Sequence, residues 1–344
     1  MKSITLTSLL FFLRLNLLAQ LLPVEIKEAK DLPYAIQVLV DGKPFTTFLY
    51  QPTKEKPVLF PVQTAKGTIV TRGFPLAPRA GERIDHPHHV GVWFNFGSVN
   101  DIDFWNNSSA IPLAEKHHYG TVKVNGVPIF KSGKDGGELI YTADWIDYKG
   151  TPVITEQTTM RFTGSGNLRI ISRITTLTAR QQPVVFKDNK EGLLAFRVDR
   201  AFEEPITEPE VMIDAKGNPT AVPVLNNQGV NGKYKNSAGI EGGAAWGQRA
   251  EWVKLSAEKD GEAITIAMMD HRQNYGFPAH WHARTYGLFS VNNFGSRVFV
   301  PNDPEQILTL VKGQSVTFKH QILIGPAAVL TDEFMNQAFI DFNR

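Results

Sequence analysis

The sequence contains no cysteine among its 344 residues. Disulfide bonds, thiolate metal ligands, a cysteine nucleophile and a lipid-modified N-terminal cysteine are therefore all excluded. A surplus of one charge is also missing, because 36 basic side chains stand against 34 acidic ones. Nucleic-acid binding usually needs a concentrated basic face, so this balance and the lack of any Lys/Arg run predict no nucleic-acid partner.

Several well-known active-site motifs are missing too. The sequence has no G-x-S-x-G nucleophile elbow, no phosphate-binding loop, no dinucleotide fingerprint and no H-E-x-x-H zinc helix. The enzyme classes that these motifs mark are therefore not indicated.

Only the N-terminus carries a long apolar run. Lys2 is followed by a short apolar core over 6–18, which ends beside a small residue, Ala19. This order is typical of a secretory signal peptide. Arg14 and Asn16 leave the uncharged run short of the roughly 20 residues that a membrane span needs. We predict a signal peptide over residues 1–20, export to a bacterial periplasm or the cell exterior, and no membrane insertion afterwards.

Beyond that segment the pattern is β-structure. Short runs of β-branched and aromatic residues alternate with turn residues, and X-Gly pairs mark tight hairpin turns. Hairpins are predicted around Asp41-Gly42, Asn125-Gly126, Lys149-Gly150 and Asp260-Gly261. Period-two alternation over Leu168–Leu177 predicts a strand with one buried face and one solvated face.

One helix stands out from this β pattern. Thr331 is a good N-cap for a helix over Asp332–Phe342, which carries acidic residues in its first turn. We predict one all-β domain over residues 21–344, a large antiparallel β-sandwich with a short C-terminal helix. The mutarotase-like supersandwich is one form of this prediction.

The histidines are unevenly distributed. Eight of the nine fall into three groups, and only His320 stands alone. The groups are His86, His88 and His89; His117 and His118; and His271, His280 and His282. If both His-x-His segments are extended, each pair shares one face of its strand, and two such pairs can surround one point. One such pair is commonly structural, but burying many unpaired imidazoles without a function costs stability.

Clustered imidazoles support two chemistries, acid–base catalysis and metal binding. For proton transfer, the candidates are His88 or His89 with His280 or His282 as partner, and Glu191 or Asp85 as the carboxylate. For a divalent metal, the candidate ligands are His86, His88, His280 and His282, with Glu82 and Asp85 as further ligands or tautomer-fixing partners. The cofactor is otherwise unspecified.

Aromatic and polar residues accompany the histidine segments. Flat apolar faces beside hydrogen-bonding groups suit a carbohydrate, although a tryptophan of a β-sandwich more often belongs to the core. The candidate substrate-binding residues are Trp93, Trp105, Trp281, Asn100, Asp103 and Arg284. Arg83 and Arg284 can each bind an anionic group or form an ion pair with a neighbouring acid.

The same segments resemble a known family. Residues 81–106 (GERIDHPHHVGVWFNFGSVNDIDFWN), 190–198 and 280–295 (HWHARTYGLFSVNNFG) resemble the exported bacterial family named methane oxygenase PmoA-like, a domain of unknown function. A methane-oxidising enzyme of that kind needs a copper site among membrane helices, and this sequence has no spanning helix. The resemblance implies instead an exported β-sandwich of glycan-degrading bacteria.

Three hypotheses follow. The first is an exported carbohydrate-active enzyme, a lyase, hydrolase or epimerase, that moves protons with clustered histidines and a carboxylate. The second is a His-ligated metal-dependent oxygenase or metal-binding protein, as the family name implies. The third is a non-catalytic glycan-binding module, which accounts for the aromatic residues but not for the clustered histidines.

Overall fold

The chain, seen in a computed structural model that describes residues 20–344, forms two large antiparallel sheets. The eight-stranded sheet contains, in spatial order, β1 (Val24–Glu28), β2 (Ala35–Val40), β3 (Lys43–Leu49), β4 (Val58–Val62), β5 (Val92–Phe96), β12 (Gly192–Arg197), β17 (Leu288–Asn292) and β16 (His280–Arg284). The predicted signal peptide lies outside the described residues except for Gln20.

The nine-stranded sheet contains, in spatial order, β13 (Lys233–Asn236), β14 (Trp252–Lys259), β15 (Glu262–Asp270), β19 (Ser315–Pro326), β10 (Leu168–Ala179), β9 (Pro152–Ser165), β8 (Gly137–Ile146) and β6 (Thr121–Val124), with β7 (Ile129–Lys131) also paired to β8. Two short strands, β11 (Val184–Phe186) and β18 (Leu308–Leu310), pair separately.

The two large sheets pack face to face. One apolar cluster contains inward residues of both, and aromatic side chains meet across the interface. The ring of Phe48 stacks on Tyr141 at 4.9 Å, and Phe45 meets Phe162 at 6.2 Å. The predicted all-β sandwich is therefore confirmed.

Local turn chemistry predicted most hairpins correctly. β2 and β3 pair through Asp41-Gly42, and β14 and β15 pair through Asp260-Gly261; all four turn residues have positive φ. β8 and β9 also pair as predicted. The hairpin at Asn125-Gly126 is wrong, because β6 and β7 both pair with β8 and not with each other.

Strand β10 buries its less apolar face. Its inward residues include Arg173, whereas Ile174 on the opposite face is 45% exposed. The Arg173 guanidinium donates to the carboxylate of Glu156 on β9 at 2.9 Å. This pairing explains how an arginine lies between the sheets, because a buried charge needs a counter-charge and hydrogen bonds.

The C-terminal helix α1 (Asp332–Phe342) is confirmed with the predicted N-cap. The hydroxyl of Thr331 accepts a hydrogen bond from the backbone N–H of Phe334 at 3.2 Å. Met335 and Phe339 are buried against the outer face of the nine-stranded sheet. Among residues 20–344, no helix is long and apolar enough to cross a bilayer.

Candidate active site

The candidate site lies on the outer face of the eight-stranded sheet. Trp93, Ala195, Ser290 and His282 form one row across β5, β12, β17 and β16, because they are direct antiparallel partners. Their neighbours in sequence point the other way, into the core between the sheets. A second, smaller apolar cluster covers the outer face around Trp93.

The first histidine group is a loop and not the predicted strand. β5 begins only at Val92, and His86 has a φ of +43°. The backbone N–H of His89 donates to the carbonyl of His86 at 2.9 Å, which closes a tight turn around Pro87. The expectation that His86 and His88 share one strand face is therefore wrong, since a turn does not alternate its side chains.

Asp85 and His86 form a charge-supported pair. Nδ1 of His86 lies 2.8 Å from Oδ2 of Asp85. The other carboxylate oxygen accepts hydrogen bonds from Arg72 and, at 2.8 Å, from Arg197. Although burial opposes ionisation, the two guanidinium groups and His86 hold the pKa of Asp85 far below its usual range. Asp85 is therefore an anion, and Nδ1 of His86 must be the hydrogen-bond donor.

Both arginines are fixed beneath the histidine loop. Arg72 is 1% exposed and also donates to the backbone carbonyls of His86 and His89, at 2.9 and 3.1 Å. Arg197 is fully buried in the row beside Leu288 and Arg284. They set the position of the whole loop.

His89 supports His86 from below. It is 1% exposed, and its ring stacks on His86 at 4.7 Å on one side and on Trp93 at 5.3 Å on the other. Nδ1 of His89 accepts a hydrogen bond from Arg197 at 3.2 Å. The predicted catalytic role of His89 has no route to a substrate here, because the stacked rings enclose it.

His88 and Lys56 lie side by side at the edge of a cleft of about 500 Å³, open solvent included. Burial is the main cause that lowers the pKa of His88, to about 2, and the charge of Lys56 adds to the effect. Burial also lowers the pKa of Lys56 to about 7. The Lys56 ammonium group donates to the carbonyl of Trp105 at 3.0 Å.

Glu191 brings a carboxyl group to the histidines. Its side chain is 17% exposed, and Oε2 lies 3.8 Å from Nδ1 of His282. Burial raises the pKa of Glu191, against the opposing charges of Lys190 and His86. Since a raised pKa favours the protonated form, Glu191 is suited to donate a proton.

The second His-x-His pair is a strand, as predicted, but only one member joins the first group. His282 donates through Nδ1 to the carbonyl of Lys190 at 2.9 Å, and burial lowers its pKa to about 3. His86 is close enough to His282 to lower the pKa of His282 further. His280, the first residue of β16, donates through Nδ1 to the carbonyl of Gly247 at 2.6 Å, and its ring stacks on Phe299 at 5.2 Å. The structure therefore places His282, and not His280, beside the first group.

The three candidate tryptophans have no exposed ring face. Trp93, Trp105 and Trp281 are each at most 1% exposed. Trp281 belongs to the core between the sheets, and its indole N–H donates to the carbonyl of Ala250 at 2.9 Å. The expectation that these tryptophans bind substrate is corrected by their burial, because a substrate cannot reach their rings.

The polar loop residues stabilise turns. A carboxylate oxygen of Asp103 accepts from the backbone N–H groups of Trp105 and Asn106, at 2.8 and 2.9 Å. Asn100 accepts from Val185 at 2.8 Å and donates to Pro183 at 3.1 Å, so it ties two loops together. Asp103 still contributes charge near Glu191 and Lys56, whereas Asn100 serves the loop.

Arg284, the last residue of β16, and Tyr286, in the turn that leads to β17, border the site. Both side chains are half-buried. The ring of Tyr286 stacks on His86 at 4.9 Å, and the guanidinium carbon of Arg284 lies 5.4 Å from the centre of the Tyr286 ring. Glu82 and Arg83 serve the scaffold instead: Glu82 accepts from the backbone of Gly73 and Arg83 pairs with Glu203 at 3.0 Å.

The four predicted metal ligands do not converge. Within residues 20–344, no three His, Asp or Glu side chains are grouped as a metal site requires. Nδ1 of His86, His280 and His282 is hydrogen-bonded to Asp85, Gly247 and Lys190 respectively, which leaves Nε2 of each ring as the nitrogen that could bind a metal. Because the candidate ligands are not grouped around one point, they do not fit a divalent metal in this arrangement, and we derive no step through one.

Sequence reasoning missed the most tightly bound groups of the site. Lys56, Arg72 and Arg197 carry no motif, and Tyr286, within the second histidine segment, was not among the candidate substrate-binding residues. Arg197 lies at the end of a strongly apolar strand, GLLAFR. A charged residue inside a buried strand was the one signal available, because such a charge needs a buried partner.

The chain belongs to DUF6807, a family of unknown function whose model matches residues 35–339. No curated protein matches the sequence at a significant level. Among solved structures, the GH36 α-galactosidase AgaA from Geobacillus stearothermophilus is 9% identical, with a TM-score of 0.41, over 88% of this chain and 40% of its own. This chain thus spans about two fifths of the length of that enzyme.

Two further structures show a similar backbone. A β-arabinopyranosidase is 10% identical, with a TM-score of 0.33, over 88% of this chain and 38% of its own. The Slr1438 protein from Synechocystis sp. PCC 6803 is 9% identical, with a TM-score of 0.33, over 89% of this chain and 96% of its own. TM-scores this low describe a partial likeness of the backbone and carry no functional conclusion.

Proposed function

We propose that this member of the DUF6807 family is an exported carbohydrate-active enzyme in which His86 is the general base and Glu191 the general acid. The observation that carries the proposal is the Asp85–His86 pair. One oxygen of Asp85 lies 2.8 Å from Nδ1 of His86, while two buried arginines hold the other oxygen. A carboxylate that orients an imidazole in this way is a recurrent catalytic arrangement.

The pair determines which nitrogen of His86 can react. Because Asp85 is ionised, Nδ1 of His86 carries the proton and Nε2 keeps its lone pair. The side chain of His86 is 39% exposed, which is more than that of His89 or His282. His86 therefore offers a fixed tautomer with a free lone pair to an incoming substrate, which is what a general base requires.

Glu191 supplies the complementary group. Its pKa is raised by burial, whereas that of Asp85 is lowered by its arginines. Carboxyl groups whose surroundings shift their pKa values apart are typical of acid–base assignments in active sites. The ring of Tyr286 stacks on His86 at 4.9 Å, and Oε2 of Glu191 lies 3.8 Å from Nδ1 of His282. Tyr286 and His282 lie on the same outer face of the sheet, so one substrate can contact both groups.

The carbohydrate assignment rests on the border of the site. Tyr286 and Trp246 are half-buried aromatic side chains, and Arg284, Glu191 and His86 lie around them. Partly exposed rings beside convergent polar groups suit a sugar ring, which has apolar C–H faces and many hydroxyl groups. A lyase, a hydrolase and an epimerase can all use this acid–base pair.

The test is an assay of a sugar panel in D2O. Mono- and oligosaccharides are followed for deuterium at carbon, for unsaturated products by ultraviolet absorbance, and for new reducing ends. H86Q and E191Q are compared with H117Q, a matched control, because His117 is an exposed histidine whose Nδ1 donates to Ala114.

We expect H86Q and E191Q each to lose roughly 10²- to 10⁴-fold in rate, the usual contribution of a positioned acid or base, while H117Q keeps the wild-type rate. If the wild-type protein converts a sugar and H86Q converts it equally well, the proposed base is wrong. If sugars bind but none is converted, the protein is a binding module.

A further inference from the structure

The guanidinium group of Arg284 lies between two aromatic rings. Its central carbon is 5.5 Å from the centre of the Trp246 ring and 5.4 Å from that of Tyr286. Aromatic faces hold a guanidinium group flat while its N–H groups stay available at the edge. Arg284 is half-buried, and among residues 20–344 no carboxylate lies within ion-pair distance of it.

The other arginines of this region differ in this respect. Arg72 and Arg197 both bind Asp85. Arg83 pairs with Glu203 and, at 3.3 Å, with Glu210. Unlike these three arginines, Arg284 has a positioned guanidinium group with no carboxylate at ion-pair distance in the described chain.

The backbone holds Arg284 in place. The hydroxyl of Tyr234 donates to the carbonyl of Arg284 at 3.2 Å, and the N–H of Gly287 donates to the same carbonyl at 2.9 Å. Gly287 has a φ of +84°, and a Cβ atom there would lie 3.1 Å from Val198. This turn is therefore specified by packing, and Arg284 is positioned before any ligand arrives.

Arg284 lies close to the proposed acid and base. The ring of Trp246, which Arg284 contacts, lies 6.4 Å from that of His282, and Oε2 of Glu191 is 3.8 Å from Nδ1 of His282. The ring of Tyr286 contacts Arg284 and also stacks on His86 at 4.9 Å. An anionic group bound by Arg284 would therefore place the atoms next to it between His86 and Glu191.

We propose that Arg284 binds the carboxylate of a sugar acid, so that the substrates of this site are uronic acids or oligosaccharides that contain them. This inference rests on the function proposed above, and it narrows the substrate class. A planar guanidinium group binds a carboxylate through two parallel hydrogen bonds. A neutral sugar has no group that can replace this contact.

A bound carboxylate also makes the proton transfer easier. Nε2 of His86 removes the hydrogen from the carbon next to the carboxylate, and the electron pair left behind spreads into that carboxylate as an enediolate, whose extra charge Arg284 offsets. If Glu191 gives its proton to the opposite face of the same carbon, the product is the epimer, and His86 is left protonated and Glu191 ionised. If Glu191 instead protonates the oxygen on the neighbouring carbon and that C–O bond breaks, the product is an unsaturated sugar.

The test compares acidic with neutral sugars on the full chain. Galacturonic and glucuronic acid and their oligomers are titrated calorimetrically against the wild-type protein, R284Q and R284K, with galactose, glucose and their oligomers as neutral counterparts. R297Q is the matched control, because Arg297 is an exposed arginine on another loop that pairs with Glu305 at 2.9 Å.

We expect the wild-type protein to bind at least one uronic acid more tightly than its neutral counterpart. R284Q should weaken that binding roughly 10- to 100-fold, the loss typical of a charge-assisted hydrogen bond. R284K should restore part of it, and R297Q should match the wild type. The urea midpoint of R284Q should stay close to that of the wild type, because the side chain supports no internal ion pair and loses only its cation–π contacts with Trp246 and Tyr286.

The contrary outcomes separate the two proposals. If neutral sugars bind or react as well as uronic acids, with conversion still lost in H86Q, the carboxylate inference is wrong and the proposed function stands. If R284Q weakens both classes equally, Arg284 has a structural role and the inference is also wrong. If neither class binds, both proposals fail.

Discussion

Replacing Asp85 with asparagine tests the arrangement that positions His86. The wild-type carboxylate accepts from Arg72, from Arg197 at 2.8 Å and from His86 at 2.8 Å. Removing the charge leaves two guanidinium groups, 1% and 0% exposed, without their shared anion. Breaking a buried ion pair from one side costs about 3–5 kcal/mol. Arg72 keeps its hydrogen bonds to the backbone carbonyls of residue 85, His86 and His89, so we expect the lower end of that range, about 3 kcal/mol.

The same change should alter the tautomer of His86. The asparagine amide can present its N–H group to Nδ1, which then becomes an acceptor, and the proton moves to Nε2. In the serine-protease triad the equivalent change lowers the rate on the order of 10⁴-fold. We expect a loss of similar size here once a substrate is found, in addition to the loss of stability.

The difference in unfolding free energy between wild type and D85N should decrease as the pH falls. The folded-state pKa of Asp85 is depressed from its ordinary value of 3.8, so its stabilising effect is present above about pH 4 and is lost as the pH falls. Each pH unit below that value removes about 1.4 kcal/mol of the difference between wild type and D85N. Urea unfolding followed by tryptophan fluorescence at pH 7 and pH 3 measures both numbers.

The matched control is D101N. Asp101 pairs with Lys187 at 2.5 Å, but its side chain is 75% exposed, and such pairs contribute less than about 1 kcal/mol. The reasoning is refuted if D85N costs no more than D101N at pH 7, or if the difference between D85N and wild type stays constant down to pH 3.

Two further stability predictions concern the nine-stranded sheet and its helix. E156Q should lower the free energy of unfolding by about 3–5 kcal/mol, because Glu156 is fully buried and accepts hydrogen bonds from Arg173 at 2.9 Å and from the indole of Trp145 at 2.8 Å. The control is E25Q, since Glu25 forms an exposed pair with Lys27. Equal urea midpoints for the two variants would contradict the prediction. F339A should lower the free energy of unfolding by about 3–5 kcal/mol, because Phe339 is 2% exposed between α1 and the sheet. Ile340 is 46% exposed, so I340A should lower it by well under about 1 kcal/mol. Equal losses would mean that α1 does not pack on the sheet as described.

The fold could be predicted where local chemistry decides it. Asp41-Gly42 and Asp260-Gly261 adopt the positive φ values that a tight hairpin needs, and Thr331 caps its helix by a contact three residues away. The hairpin predicted at Asn125-Gly126 does not form, because strand pairing also depends on the neighbouring strands. β8 is long enough to pair with both β6 and β7.

The site was predicted less well, because it depends on burial. Residue types pointed to Asp85, Glu191 and His282; the structure pairs Asp85 with His86 and brings Glu191 within 3.8 Å of His282. His88 and His89 were the predicted proton-transfer residues, but the turn at Pro87 exposes His86 and encloses His89. Arg72 and Arg197 could not be found from sequence, since their importance comes from a carboxylate that only the folded chain brings to them.

The buried charges around Asp85 are better explained by positioning than by stability. Removing Arg72, Arg197 and Asp85 from water is costly, and well-packed apolar residues of similar size are often at least as stabilising as a buried ionic cluster. An apolar replacement could keep the loop folded, but it could not fix Nδ1 of His86 as a donor or leave Nε2 with a lone pair. Stability alone would therefore favour apolar residues here, whereas the proposed chemistry requires the charges. The position of the cluster beneath His86, whose side chain is 39% exposed, favours the chemistry.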